Sequence, residues 1–248
     1  MTRTNDERAA IDIAAAAGEL LLEHRKSLGA ADVDAVTFKN AADRLSHDFI
    51  VAELARRFPA DAVLSEEGAD DLARLNADRV WIVDPLDGTR EYGEAGRSDW
   101  AVHVALTENG VLTAGAVAMP ALGVTYASSD DRTGRDTATP VRVVVSRTRR
   151  PEPVMRMADS MGAELIEMGS AGAKAMAVVS GDADIYAHAG GQYEWDSAAP
   201  VAVARAAGLH VSRIDGSELR YNQENPWLPD LLICRPELAP KALEELGR

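Results

Sequence analysis

The sequence predicts a mixed α+β / α/β protein, with helices and strands interleaved through both halves of a 248-residue chain. Three observations carry this expectation. A capped, helix-periodic stretch opens the chain. "WAVHVALTENGVLTAGAVAM" reads as two strands joined at Asn109-Gly110, the strongest short hairpin signal. Beyond residue 140, short apolar strands alternate with helical segments, the pattern of a layered α/β unit.

Taken in order, Thr4 and Glu7 form a capping-box pattern ahead of "RAAIDIAAAAGELLLEHRKSLG", in which Ile11, Ala15, Gly18 and Leu22 share one helical face and Gly29 stops the helix. A second helix is predicted over residues 42–58, because Leu45, Phe49 and Ala52 share a side and Pro59 ends the pattern. Asp43 then sits in its first turn. Strands follow at "DAVLS" and "VWIVD", and then the hairpin. Residues 128–140, "SSDDRTGRDTATP", are polar and turn-rich and read as a surface loop or as the seam between halves 1–138 and 139–248. After the seam come "VRVVVS", a helix following Pro151, "ELIEM", a small-residue helix around "GAKAMAVVS", "ADIYAHA", a helix over 197–207 and "LLICR". There is no internal repeat or low-complexity tract.

Apolar residues make up 46% of the chain, enough for a real core. A formal charge of −14 argues against a nucleic acid polymer or an anionic membrane surface as partner, and an anionic substrate would need local cations. Cys234 is the single cysteine, so no intrachain disulfide is possible. "MTRTNDERAA" lacks the apolar core of a signal peptide, and no uncharged apolar run approaches the roughly 18 residues of a membrane span, so the expectation is a cytoplasmic protein.

The chemistry centres on "VWIVDPLDGTREYG", which sets Asp84 and Asp87 three residues apart at a strand end. Like charges that close repel unless a cation lies between them. Pro85 forces the direction in which the chain leaves the strand and can turn the Leu86 carbonyl toward the two carboxylates. Gly88 and Thr89 follow, and their N–H groups would form an anion site if a turn or helix begins there. Oxygen-only donors favour Mg²⁺ over zinc. By itself D-x-x-D-G also fits a plain turn beside a solvated strand end. Two further features weigh against that: "LSEEG" places Glu66 and Glu67 at another strand end, and "EWDSAAP" places Asp196 at a helix start.

Together "DPLDGT", "SEE", "WDSAA" and the aspartate of "AAD" resemble the inositol-monophosphatase-like superfamily of Mg²⁺-dependent, lithium-sensitive phosphatases, over residues 37–216. "VWIVDPLDGTREY", "GSAGAK" and "EWDSAAP" are most similar to its 3′(2′),5′-bisphosphate nucleotidase branch. The resemblance implies the layered α-β-α-β-α sandwich of the inositol monophosphatase and fructose-1,6-bisphosphatase type, two or three Mg²⁺ ions, a small-molecule phosphate ester substrate and a homodimer. It implies that Glu66, Asp84 and the Leu86 carbonyl hold one ion, that Asp84, Asp87 and Asp196 hold a second, and that a looser third would lean on Glu66. Gly88 and Thr89 match the positions that cradle the scissile phosphate. Asp43 and the Thr89 hydroxyl match the pair that orients and deprotonates the attacking water; Glu66 joins them in the catalytic set, with Glu67 behind, while Asp87 and Asp196 also face the substrate. Two such ions support in-line displacement with no covalent intermediate.

Substrate choice rests on other residues. Inositol-specific relatives carry a Glu seven residues before the aspartate of the "WD" motif, where this chain has Ala189. Ser170 and Lys174 match the nucleotide-cleaving branch, and a second substrate phosphate would partner the lysine. "VSRTR" matches that branch at Ser146 and Arg147 but has Arg149 where a histidine is usual. Lys174 also reads as an exposed helix residue, and "RTRR" as a solvated basic run. Arg220 and Tyr221 are further candidates. The expected reaction is removal of the 3′-phosphate from 3′-phosphoadenosine 5′-phosphate, giving AMP, or from its sulfated analogue, giving adenosine 5′-phosphosulfate. The rivals are the same chemistry on inositol monophosphate or fructose 1,6-bisphosphate, and a silent metal- or nucleotide-binding regulator. The five histidines show no i, i+4 pair and suggest no zinc site, "GSAGAK" lacks the ending of a Walker loop, and Cys234, Trp81 and Trp100 read as core, with Trp195 bracing Asp196.

Overall fold

Two five-stranded sheets and three helical layers organise the chain in a computed structural model that describes residues 4–27, 34–130, 137 and 139–247. The first sheet runs β1 (Ala62–Ser65), β2 (Arg79–Asp87), β3 (Ala101–Glu108), β4 (Val111–Met119), β5 (Val124–Ala127) in sequence order, with β1 parallel to β2 and the rest antiparallel. The second contains β6 (Arg142–Ser146), β7 (Glu164–Met168), β8 (Ile185–Tyr193), β9 (His210–Ser212) and β10 (Trp227–Cys234), in the spatial order β7-β6-β8-β10-β9. Helices α1 (Asn5–Arg25) and α2 (Ala35–Arg57) cover the outer face of the first sheet, and a single turn, α3 (Thr89–Tyr92), follows β2. On the outer face of the second sheet lie α4 (Glu152–Ser160) and α7 (Ala239–Leu246). Between the sheets sit α5 (Ala171–Ser180) and α6 (Glu194–Ala206), which pack on strands of both. The order is α-β-α-β-α, as the resemblance implies, with one apolar cluster under each outer helical layer and a third around α5 and α6 that reaches both sheets. Among the described residues no helix is long and apolar enough to cross a membrane.

The capping box of α1 forms: Glu7 N–H donates to Thr4 Oγ1 at 3.1 Å, and Thr4 N–H to Glu7 Oε2 at 2.7 Å. The helix ends at Arg25; Gly29, its expected stop, lies outside the described residues. Its buried face is Ala10, Ile13, Ala14, Ala17 and Leu21, with Gly18, and not the predicted Ile11, Ala15 and Leu22, which are half-buried at its edges. Small alanines pack closest to the sheet, so the largest side chains do not mark the centre of the face. The C-terminal Arg25 then reaches past Tyr92 to donate to the carbonyls of residues 91, 92, 94 and 97, tying down the chain that follows the "DPLDGT" stretch.

Helix α2 begins two turns earlier than predicted. Asp34 caps it, accepting from the N–H groups of Val36 and Thr37 at 3.0 Å each. Asp43 therefore lies in the third turn, on a buried face of Phe38, Ala42, Asp43, Ser46, Ile50 and Leu54, while Leu45 and Ala52 are exposed. Two polar residues in the inward stripe shift the apparent apolar face around the helix. Phe58 leaves helical geometry before Pro59, as a pre-proline residue should.

The hairpin turn falls at Asn109 and Gly110, both at positive φ (52° and 79°), the geometry that suits a two-residue connection. The sequence does not announce β5, β9 and α7, all short, while α3 is the turn or helix allowed for after Gly88. Gly115 in β4 fixes the spacing to α6: a Cβ there would stand 2.6 Å from Ala202 Cβ and 3.2 Å from the Ala199 carbonyl oxygen. Gly115→Ala should cost about 1–3 kcal/mol by forcing sheet and helix apart; urea unfolding with the midpoint unchanged would contradict this packing.

Candidate active site

The site grows from the end of β2. Asp84 pairs with His103 and Asp87 with Ala101, so Pro85 and Leu86 together oppose Val102. That extra residue is a β-bulge. Side chains three apart in a regular strand point to opposite faces, but partners two apart point to one face, so the bulge brings Asp84 and Asp87 onto the same side. Hydrogen bonds hold its shape: Leu86 N–H donates to Asp84 Oδ1 at 3.0 Å, Ser46 Oγ to the Pro85 carbonyl at 2.7 Å, and Thr89 Oγ1 to the Leu86 carbonyl at 3.0 Å. Gly88 follows at φ +86°, where a side chain would meet Ser170 Cβ at 2.9 Å and the Asp99 carbonyl at 3.2 Å.

Two neighbouring elements supply the other carboxylates. β1 runs parallel to β2 in the register Ser65 to Val83, so Glu66 leaves its strand beside Asp84. Asp196 lies in the first turn of α6, two residues after the helix starts and one earlier than the predicted start at 197, and accepts from Tyr193 N–H at 2.6 Å. Asp84, Asp87 and Asp196 each offer an oxygen within 4.8 Å of the others. The set consists of hard oxygens and suits a hard divalent cation.

Asp87 sits at the N-terminus of α5, where Ser170 Oγ donates to it at 2.5 Å, Gly172 N–H at 2.6 Å and Ala171 N–H at 3.2 Å. His103 Nε2 lies 3.3 Å from the same carboxylate, and its Nδ1 lies 3.0 Å from the Trp195 carbonyl. His103 thus links the anchor of Asp87 to the turn that carries Asp196. Gly172 leaves the room, since a Cβ there would fall 2.1 Å from Nε2. Sequence reading treated this histidine as noise. The available signal was a lone imidazole in the apolar run Ala101–Leu106 of β3; its pairing with Asp84 comes only from the strand register.

The charges respond as a crowded group. Burial pushes Asp84 well above the ordinary range, with Glu66, Asp87 and Asp196 adding repulsion. Burial and then Asp196 raise Glu66 to about 7, and burial and then Asp87 raise Asp196 to about 6. Glu66 is exposed as a residue, so its shift speaks for the carboxyl end turned toward the other three. Asp87 is the exception. Burial opposes its ionisation, but His103, Ser170 and Lys174 outweigh it and hold the group at about 2. Asp43 is raised to about 7 by burial and then by Glu67, against a hydrogen bond from Thr89 Oγ1 at 3.4 Å.

A cavity of about 540 Å³ opens beside this cluster, lined by Glu66, Asp87, Gly88, Ser170, Lys174 and Asp196 and also by Ser146, Arg149 and Ala189. Lys174 is buried rather than exposed. Its ammonium donates to the carbonyls of Gly169 and Ser170 and sits 5.4 Å from the Tyr186 ring centroid; burial lowers it to about 8. Ser170 spends its hydroxyl on Asp87 and caps α5 through Ala173 N–H. Arg147 departs from expectation: it pairs with Glu91 at 2.5 Å and Glu94 at 3.1 Å and does not line the cavity, so the "RTRR" run contributes Arg149 in its place. Arg220 is exposed away from the cavity, and Tyr221 is core, its hydroxyl 3.2 Å from Ser197 Oγ.

Against known proteins, residues 3–246 match the model of the inositol monophosphatase family. The chain belongs to that family. It is 51% identical to a 3′-phosphoadenosine 5′-phosphate phosphatase of Mycobacterium leprae, over 95% of this chain and 91% of the relative. It is 31% identical to the 3′(2′),5′-bisphosphate nucleotidase CysQ of Escherichia coli K12, over 76% and 81%. Among solved structures, CysQ from Bacteroides thetaiotaomicron superposes with a TM-score of 0.78 at 32% identity, covering 92% of this chain and 96% of that one. The acidic cluster agrees with the metal dependence that membership in this family implies.

Raised pKa values mean that the folded, metal-free protein holds protons the unfolded chain would release. For Glu66 and Asp196 the favourable contribution is complete below the ordinary values of 4.5 and 3.8 and is lost as pH climbs to about 7 and 6. A divalent cation would replace those protons. The rise in Tm on adding one should therefore be larger at pH 8 than at pH 5.5; an equal or smaller rise at pH 8 would show that the cation binds elsewhere.

Proposed function

We propose that this protein is a Mg²⁺-dependent phosphomonoesterase that removes the 3′-phosphate of 3′-phosphoadenosine 5′-phosphate, with its sulfated analogue as a second substrate. The gathering of Asp84, Asp87 and Asp196 at the end of a substrate-sized cavity carries the reading. The 51% identity to a phosphatase named for this nucleotide supports the choice of substrate. Ala189 on the cavity wall leaves out the carboxylate expected of inositol-specific relatives.

Glu66, Asp84, Asp87, Asp196 and the Leu86 carbonyl would hold two Mg²⁺ ions, with a third leaning on Glu66. When bound, the ions lower the pKa of water, neutralise phosphate charge and stabilise the leaving ester oxygen. The chain's own groups do the rest. Asp43, at about 7, is poised to take a proton from the attacking water at neutral pH, and the Thr89 hydroxyl between Asp43 and the Leu86 carbonyl orients that transfer. The main-chain N–H groups of Gly88 and Thr89, at the start of α3, bind the scissile phosphate. Two of the three Lys174 donors are already committed, which leaves one for an anionic substrate. Ser146 and Arg149 also line the cavity and would meet a 5′-phosphate. In this reading the 1–138 half brings all but one of the carboxylates, and the 139–248 half brings Asp196 and most of the substrate walls.

Asp87→Asn keeps an acceptor for Ser170 and Gly172 and relieves repulsion, so it should stay folded. Because removing even an outer-shell partner of a metal ligand costs about 10–100-fold, loss of this ligand should reduce turnover by more than about 100-fold. Retained phosphate release in that variant would refute the metal site. Phosphate release from 3′-phosphoadenosine 5′-phosphate, inositol monophosphate and fructose 1,6-bisphosphate at equal Mg²⁺ should favour the nucleotide, with lithium inhibiting. A preference for inositol phosphate would end the nucleotide reading and leave the phosphatase.

A further inference from the structure

The cavity extends from Asp87 and Asp196 to two aromatic rings that the chemistry above does not use. Tyr193 and Trp227 are direct partners in the register between β8 and β10, so their side chains leave the same face of the pair. Both line the cavity. Their exposures are 45% and 47%, although aromatic rings of this size usually supply buried area.

Each ring is backed on one side. Tyr193 stacks on Trp195 with centroids 4.7 Å apart and planes 9° apart. Trp227 lies against Gly191, where a Cβ would sit 2.7 Å from its Nε1. Gly190 and Gly191 hold φ of +118° and +89°, a consecutive pair that side chains resist, and so the backbone passes beneath the indole. Asn225 Oδ1 fixes the Trp227 backbone by accepting its N–H at 3.1 Å. Two flat apolar faces are thus pre-set beside an acidic centre, and Tyr193 is directly bonded to that centre through its N–H to Asp196.

We propose that Tyr193 and Trp227 form the seat of the substrate's purine base, and that this seat makes the protein prefer a nucleotide over other phosphate monoesters. The proposal rests on the nucleotide-phosphatase reading above. Aromatic faces bind bases by stacking with little demand on hydrogen-bond pattern, so selection acts on the presence of a planar base more than on its identity.

The test compares kcat and KM for 3′-phosphoadenosine 5′-phosphate and for a base-free counterpart, methyl riboside 3,5-bisphosphate, in the wild type and in Tyr193→Ala, Trp227→Ala and Trp227→Phe. Alanine at Tyr193 keeps the backbone donor to Asp196. Each alanine variant should shrink the KM advantage of the nucleotide over the base-free ester by about 10-fold, with the loss in KM and not in kcat, and Trp227→Phe should recover most of it. An unchanged ratio overturns the seat, as does a wild type that treats both substrates alike, while phosphatase activity itself stands. If the wild type cleaves neither, the phosphatase reading fails. Calorimetric binding of AMP against methyl riboside 5-phosphate then decides the seat: AMP binding that Trp227→Ala weakens supports it, and binding indifferent to base or variant overturns it.

Discussion

Mutual repulsion among Glu66, Asp84, Asp87 and Asp196 is the constraint around which the molecule is arranged. Among the described residues no ordinary ion pairing removes it: the four carboxyl groups repel one another, with the His103 imidazole and the buried Lys174 acting on Asp87. Three of the four answer by holding protons more tightly. The fourth, Asp87, is held ionised by a dense set of donors at the start of α5. A centre with one fixed negative charge and three groups ready to release protons is suited to take up cations.

The layers deliver these groups to one place. The parallel pair β1 and β2 ends two neighbouring strands in carboxylates, and the two helices between the sheets point their first turns at that end. Close approach is purchased with glycines at three contacts: Gly115 sets how near α6 lies to β4, Gly172 admits His103, and Gly88 lets the chain turn against Ser170. Remote packing and local chemistry are therefore coupled through small residues.

The composition-independent signals were legible: the capping box of α1, the Asn109-Gly110 hairpin and the strand-helix alternation all appear where the residues place them. The carboxylate cluster was legible through its motifs, and three of its members do come together in space. What stayed hidden follows from physics that a linear reading lacks. The inward stripe of α2 carries Asp43 and Ser46 for the site's benefit, so apolar periodicity pointed to the wrong face and the wrong first turn. Arg147 matched a motif, but Glu91 and Glu94 claim it through long-range contacts with no signature near it in sequence. His103 gained its place only from strand pairing, and Tyr193 and Trp227 only from being partners across two strands 34 residues apart in the chain.

The bulge in β2 explains why the motif is D-x-x-D and not the shorter D-x-D. In a regular strand, D-x-D would already set both carboxylates on one face, but every carbonyl between them would remain in step with the ladder. The inserted residue takes Pro85 and Leu86 out of step with β3, so their carbonyl oxygens turn to Ser46 and Thr89. A carbonyl oxygen has two lone pairs, and Thr89 occupies one of those on Leu86. One added residue thus frees a carbonyl oxygen of the sheet framework from the ladder between the two aspartates, and no side-chain substitution at either aspartate could supply that.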